Sequence, residues 1–192
     1  MTDQGGASGT ESRIKKPSRK KMIRYSLIFL AIVTFIAIAH IYGPYTGKIV
    51  DLETGEPIEG AAVLMVFDTE TFFDVSSYGD AVETLTDSKG EFRIPWFLAL
   101  TFHPISSWES HGYVTIFKPG YGAYPGHDDS KPLFMPNGTL PENEYVTIRL
   151  PRLKTIEERK INLISLPDIP RRKMKNLIRL EREERINVGL TS

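Results

Sequence analysis

Histidine and carboxylate side chains are the residue types that could hold a metal ion in this chain. Three histidines and two aspartates fall in two loop-like stretches: His103, His111, His127, Asp128 and Asp129. Protein zinc sites usually contain at least one close pair of ligands, such as the two histidines of HExxH on a helix. No such pair occurs in the sequence. We therefore expect no metal site and no cofactor.

Acidic side chains also cluster around the first turn of the folded region. They are Asp51, Glu53, Glu56 and Glu59. Carboxylates can bind calcium, but a calcium loop has a regular alternation of ligands and an invariant glycine, which this turn lacks. The pattern favours a solvated acidic turn.

A serine, a histidine and a carboxylate can together perform nucleophilic catalysis. Ser106, Ser107, Glu109 and His111 lie close together in sequence. No nucleophile-elbow motif surrounds the serines, and no catalytic residue is predicted. An esterase or amidase with its site in residues 97–112 and 122–143 remains the enzymatic alternative.

Aromatic side chains form the third set, because they can stack on sugars or peptides. Five of them are candidate binding residues: Trp96, Phe97, Trp108, Tyr121 and Tyr124. The apolar run PWFLALTFHP at residues 95–104 is expected to pack in the core. Its alternatives are contact with a bilayer surface close to an anchor, or a patch that binds a partner.

Composition excludes several classes of protein. The chain has no cysteine, and so it has no disulfide, thiolate metal site or cysteine nucleophile. Residues 43–150 carry 16 acidic and 6 basic side chains. Nucleic-acid binding needs a surface rich in lysine and arginine. We expect no nucleic-acid partner, and cations, sugars or basic partners fit better.

The N-terminal part of the chain predicts a membrane anchor. Residues 1–24 contain seven basic side chains and no apolar periodicity, which indicates a disordered leader. Residues 25–42 have no acidic or basic group except His40, and a helix of that length spans roughly 27 Å. A transmembrane helix is expected. A cleaved signal ending at Ala37-Ile38-Ala39 and a buried soluble helix are the alternatives.

The basic leader predicts the orientation, because basic flanks remain in the cytoplasm. An exported domain without cysteine is compatible with a bacterial envelope. The expected location is the bacterial inner membrane, with a single pass, a cytoplasmic N-terminus and a periplasmic domain.

Residues 44–150 show short alternating stretches separated by turn residues, which predict an all-β domain. Six or seven strands are expected. The clearest are residues 45–50, 61–67, 81–86, 91–96, 113–117 and 145–150. The turn Asp87-Ser88-Lys89-Gly90, with Gly90 at positive φ, predicts a hairpin between the strands on either side of it.

Three segments of this region carry a resemblance to a known family. GKIVDLETGEPIEGAAV at 47–63, TDSKGEFRI at 86–94 and FKPGY at 117–121 together resemble the carboxypeptidase regulatory-like domain, a transthyretin-like (prealbumin-like) β-sandwich. The resemblance implies two hairpins shaped by fold-forming residues, not reactive ones. They are Gly47, Gly55, Pro57, Gly60 and Ala61 in the first, and Thr86, Asp87, Gly90 and Phe92 in the second. A fold does not by itself fix a function.

Helical patterns return in residues 154–192, which we interpret as a basic helical tail. Met174, Leu177 and Ile178 make an apolar stripe among arginines and lysines. The tail is expected to dock on the acidic sandwich; an anionic membrane surface or a partner helix is the alternative.

These features together predict a membrane-tethered extracytoplasmic module that binds or assembles and does not catalyse. A protein of the envelope or a saccharide is the possible partner. A purely structural spacer is the remaining alternative.

Overall fold

The computed structural model of the chain describes residues 18–71, 76–100, 106–130 and 138–190. Residues 1–17 of the predicted leader lie outside the described residues, as does His103 of the histidine set. The described residues divide into two compact units, one that ends at Ala37 and one that begins at Ile38.

Helix α1 (Arg19–Ile38) carries apolar side chains in all directions. The consecutive residues from Leu27 to Leu30 are 47 to 69% exposed, and successive helical residues point about 100° apart. Thr34 donates its hydroxyl to the Leu30 carbonyl oxygen at 2.9 Å, so this polar group is satisfied within the helix.

Among the described residues, no helix combines the length and the apolarity needed to cross a bilayer.

The apolar segment ends in a strand, which the sequence did not predict. Strand β1 (Ala39–Tyr42) pairs antiparallel with β6 (Phe97–Leu100), and we name this pair the ribbon. The predicted continuation of the helix to Tyr42 is therefore wrong. The reason is packing, because the Tyr42 ring is fully buried and its centroid lies 4.1 Å from that of Phe67.

The other strands form two sheets. In the first, β2 (Tyr45–Asp51) lies between antiparallel β5 (Glu91–Ile94) and parallel β9 (Tyr145–Leu150). In the second, β3 (Ala62–Thr71) lies between β4 (Ser76–Leu85) on one side and β7 (Ser106–Trp108) with β8 (Tyr113–Phe117) on the other. The nine strands of the described residues confirm the predicted all-β class, but the expected number of six or seven strands is wrong. Strands β1, β6 and β7 were not predicted, because they lie in an apolar run and in a segment assigned to a loop.

The two predicted hairpins are wrong, because the strands that flank each turn lie in different sheets. Strands β4 and β5 pair with β3 and β2 respectively, and β2 and β3 also belong to different sheets. The second turn itself is as predicted. Gly90 has a φ of +73°, and the Asp87 carboxylate accepts from the amides of Lys89 and Glu91, each at 2.9 Å.

The main core fills the space between the two sheets. Buried residues of both sheets belong to one cluster: Tyr45, Ile49, Phe92, Ile94 and Ile148 from the first, and Val63, Met65, Phe67, Val114 and Ile116 from the second. Alternation along β3 places Ala62 and Leu64 on its other face, in a second cluster.

The helical tail covers that second face. It contains α2 (Ile156–Ile161), a 3₁₀ turn (Arg171–Lys173) and α3 (Lys175–Asn187). Met174, Leu177 and Leu180 pack with Leu64 and Phe117. Docking on the domain, the expected role of the tail, is thus observed.

Polar contacts fix the beginning of α3 on the sheet. The carboxylate of Glu83 on β4 accepts from the backbone amides of Asn176 and Leu177 at 2.9 and 2.7 Å. These amides have no partner within the helix. Lys173 also forms an ion pair with Asp80 at 2.7 Å. Acidic side chains of the sheet therefore stabilise the docking of the basic tail, as the opposite charges of the two segments predict.

Gly47 on β2 provides a test of the packing between strands. A Cβ at this position would lie 2.5 Å from the Val146 carbonyl oxygen and 2.8 Å from Cε1 of Phe92. We expect Gly47→Ala to lower the free energy of unfolding by about 2 kcal/mol, because one of these neighbours must move. Urea denaturation of the full chain in a mild detergent measures this loss.

Gly126→Ala is the matched control. Its added Cβ would have its nearest neighbour at 3.8 Å, and the expected change is within about 0.5 kcal/mol. Equal effects of the two substitutions would contradict the close approach at Gly47.

Candidate functional site

The ribbon and the neighbouring strands bring two of the five candidate aromatic residues together. The ring centroids of Phe97 and Trp108 lie 6.1 and 5.9 Å from that of Tyr42. Phe97 also lies 5.1 Å from Phe67. Both Phe97 and Trp108 are half-buried. These rings pack on the side of the ribbon that faces the core, and they do not form an open platform on which a ligand could stack.

Trp96 lies apart from this cluster, with its side chain 67% exposed. It precedes β6 and continues the alternation of Leu98 and Leu100, which are 42 and 51% exposed. Ile41, the register partner of Leu98 on β1, is 62% exposed. We define these four side chains, Ile41, Trp96, Leu98 and Leu100, as the ribbon face. Neither strand of the ribbon contains Asp, Glu, Lys or Arg.

The remaining candidates, Tyr121 and Tyr124, serve the fold. Tyr124 is fully buried in the main core. The Tyr121 hydroxyl accepts a hydrogen bond from Nη2 of Arg152 at 2.7 Å. The Nε–H of the same guanidinium donates to Oδ2 of Asp51 at 3.2 Å. The predicted aromatic set is therefore distributed over separate places.

Asp51 is the buried member of the acidic turn. Burial alone would raise its pKa, but the backbone amides of Thr54 and Glu53 and the Arg152 guanidinium outweigh burial and lower the pKa. The amides donate to Oδ1 at 3.1 and 2.9 Å. Within the described ranges, no group of three or more acidic or histidine side chains is placed to hold a metal ion.

The residues proposed for the alternative hydrolase site contact different partners. His111 Nδ1 lies 2.7 Å from the hydroxyl of Ser110. The Glu109 carboxylate accepts from Ser76 at 3.1 Å. Ser106 and Ser107 lie in β7, opposite β3. The described contacts therefore do not form a relay from a carboxylate through His111 to either predicted serine.

A cavity of about 300 Å³ lies beside Tyr124. It is lined by β8, the following loop and the segment after α2, including Thr115, Pro125, Leu163 and Ile164. Asn162 in its wall accepts from the Ala123 amide at 3.1 Å and donates to the Tyr121 carbonyl oxygen at 3.0 Å. The volume is at the lower limit for a small-molecule site, and its described lining offers no acid or base beyond Tyr124.

The ribbon is held in a fixed position on the β-domain. Burial raises the pKa of Tyr42, which stays protonated and donates to the Glu109 carbonyl oxygen at 2.6 Å. The Glu142 carboxylate accepts from the Gly43 amide at 3.1 Å and from the Tyr45 hydroxyl at 3.0 Å. The ribbon face is therefore presented by a rigid element.

Sequence reasoning did not find Ile41, because an apolar residue after a long apolar run was assigned to the helix. His40 and the Gly43-Pro44 stop were the available signals of a strand. Comparison of the chain with protein-family models, with curated proteins and with solved structures found no match.

Proposed function

We propose that the chain is a membrane-tethered β-domain that binds or assembles with a partner on the outer side of a bacterial inner membrane and performs no catalysis. The observation that carries the proposal is α1, whose apolar side chains are exposed in all directions. Transfer of such surface from water to hydrocarbon is favourable by about 25 cal/mol per Å².

The lengths of the uncharged part and of the basic flank of α1 determine how this helix would lie in a bilayer. Its uncharged part, residues 25–38, extends about 21 Å, which is less than the roughly 30 Å of a hydrocarbon core. Lys20, Lys21 and Arg24 precede it. Their long side chains can reach the headgroups while their methylene groups remain in apolar surroundings. With this flank included, the 20 residues of α1 extend about 30 Å. The basic end then stays in the cytoplasm.

Three carboxylates of the β-domain have structural roles and are not available for catalysis. Glu83 caps α3, Glu142 holds the link between β1 and β2, and Asp51 closes a turn. Each of these carboxylates is occupied by structural hydrogen bonds.

The proposal includes the fold family, a transthyretin-like sandwich of the carboxypeptidase regulatory-like type. The order of the three resembling segments supports it. Gly47 stands at a close approach between strands, and Gly60 and Gly90 have φ of +68° and +73°. These are positions at which the resemblance expects fold-forming residues.

Carbonate extraction of membranes tests the anchor. We expect the full chain, expressed in a bacterial host, to remain in the carbonate-resistant pellet. Leu30→Lys combined with Val33→Lys should release it, because a charge at the centre of an inserted helix costs about 3 kcal/mol. Met22→Lys combined with Ile23→Lys is the control, since it adds the same two charges within the basic flank. Recovery of the unaltered chain in the soluble fraction would contradict the proposal.

A further inference from the structure

The ribbon face is an exposed apolar surface on the β-domain. Its side chains are 42 to 67% exposed. An apolar residue exposed singly needs no explanation, but a contiguous apolar face on a rigid element generally marks an interaction site.

The covalent chain indicates the occupant. Strand β1 begins at Ala39, directly after the last residue of α1, Ile38. The ribbon therefore follows α1 along the chain without intervening residues. Tyr42 and Gly43 then tie the ribbon to the rest of the β-domain. An α1 that enters a bilayer therefore brings the ribbon to the surface of that bilayer.

We propose that the ribbon face rests in the interface of the same bilayer, in contact with lipid headgroups and the upper acyl chains. This inference rests on the proposed function, since it takes α1 as the membrane anchor. The short uncharged part of α1 favours it, because a short helix draws the attached domain towards the membrane. Trp96 fits the location, as indole rings concentrate at membrane interfaces.

The absence of cysteine from the chain permits a site-specific test. Leu98→Cys places a single thiol on the ribbon face, and Ile161→Cys places one on α2, where Ile161 is 86% exposed. Each thiol is labelled with a nitrobenzoxadiazole dye, whose emission shifts to the blue in apolar surroundings. The labelled full chains are reconstituted into vesicles of phosphatidylethanolamine and phosphatidylglycerol that carry a spin label near the top of the acyl chain.

We expect the dye at Leu98→Cys to show a blue shift and a loss of emission through the spin-labelled lipid. The dye at Ile161→Cys should show neither. Adding Ile41→Ser and Leu100→Ser to the Leu98→Cys chain should reduce the quenching while the chain still floats with the vesicles. That second variant separates contact by the ribbon face from anchoring by α1.

The other outcomes overturn the inference in distinguishable ways. A chain that floats with vesicles but whose two dyes both report water leaves the anchor intact and refutes the lipid contact. A chain that does not float refutes the proposed function together with the inference. A blue shift without quenching by lipid, accompanied by cross-linking between two chains at Leu98→Cys, identifies a second copy as the occupant.

Discussion

Leu177→Ala is expected to lower the free energy of unfolding by about 3 kcal/mol. Leu177 is fully buried and packs between α3 and the outer face of β3, in the cluster that includes Leu64 and Phe117. Its truncation removes apolar contacts and leaves a cavity, because the sheet cannot collapse onto the helix. Urea denaturation of the full chain in a mild detergent measures the change.

Ile186→Ala is the control on the same helix. Ile186 is 63% exposed, and its truncation should change the free energy of unfolding by no more than about 0.5 kcal/mol. If both variants unfold like the unaltered chain, α3 does not contribute to the fold. In that case the membrane or a partner helix would again be the candidate surface for the tail.

Arg159→Ala should be comparably destabilising, by about 3 kcal/mol. The Glu184 side chain on α3 is only 3% exposed, and Arg159 on α2 binds both of its oxygens at 2.7 and 2.5 Å. The Gly120 amide donates to the same carboxylate at 3.2 Å. Removal of the guanidinium leaves a buried carboxylate with this amide as its main remaining partner, which is more costly than loss of an exposed ion pair.

Arg179→Ala provides the comparison, since Arg179 and its partner Glu183 are both about half exposed and 3.8 Å apart. Exposed pairs of this kind contribute about 0.5 kcal/mol or less. A loss for Arg159→Ala no larger than that for Arg179→Ala would refute a structural role for the buried pair.

The effect of Arg159→Ala should also depend on pH. Burial alone would raise the pKa of Glu184, but Arg159 and the Gly120 amide outweigh it and lower the pKa below the usual value of a glutamate. A carboxylate with a lowered pKa stabilises the fold above its ordinary pKa, and this contribution disappears as the pH falls through the folded-state pKa. The difference between the unaltered chain and Arg159→Ala should therefore narrow in acid.

Local sequence patterns were sufficient to locate six strands, because alternation and turn residues act over a few positions. Such local patterns did not predict which strands pair with each other. The turn at Asp87 and Gly90 has the local geometry of a hairpin, yet β4 and β5 find partners in different sheets. That choice depends on contacts between distant parts of the chain, such as the parallel pairing of β2 with β9.

Prediction of the candidate site was limited for the same reason. Aromatic composition identified Trp96 and Phe97, but it could not show that these adjacent side chains point to opposite sides. Only the pairing of β6 with β1 places Phe97 on the core and Trp96 in solvent. Tyr124 was a candidate because its ring could stack on a ligand, whereas it is fully buried. The amino-acid composition therefore did not predict which aromatic side chains are exposed.

The central claim is that α1 tethers an external β-domain, and protease accessibility in spheroplasts tests it most directly. The full chain carries a C-terminal tag, and its mass is measured after membrane isolation. We predict an uncleaved, membrane-bound chain whose tag is removed by external protease without lysis. A tag that is protected until lysis, or a soluble chain shortened after Ala39, would contradict the account.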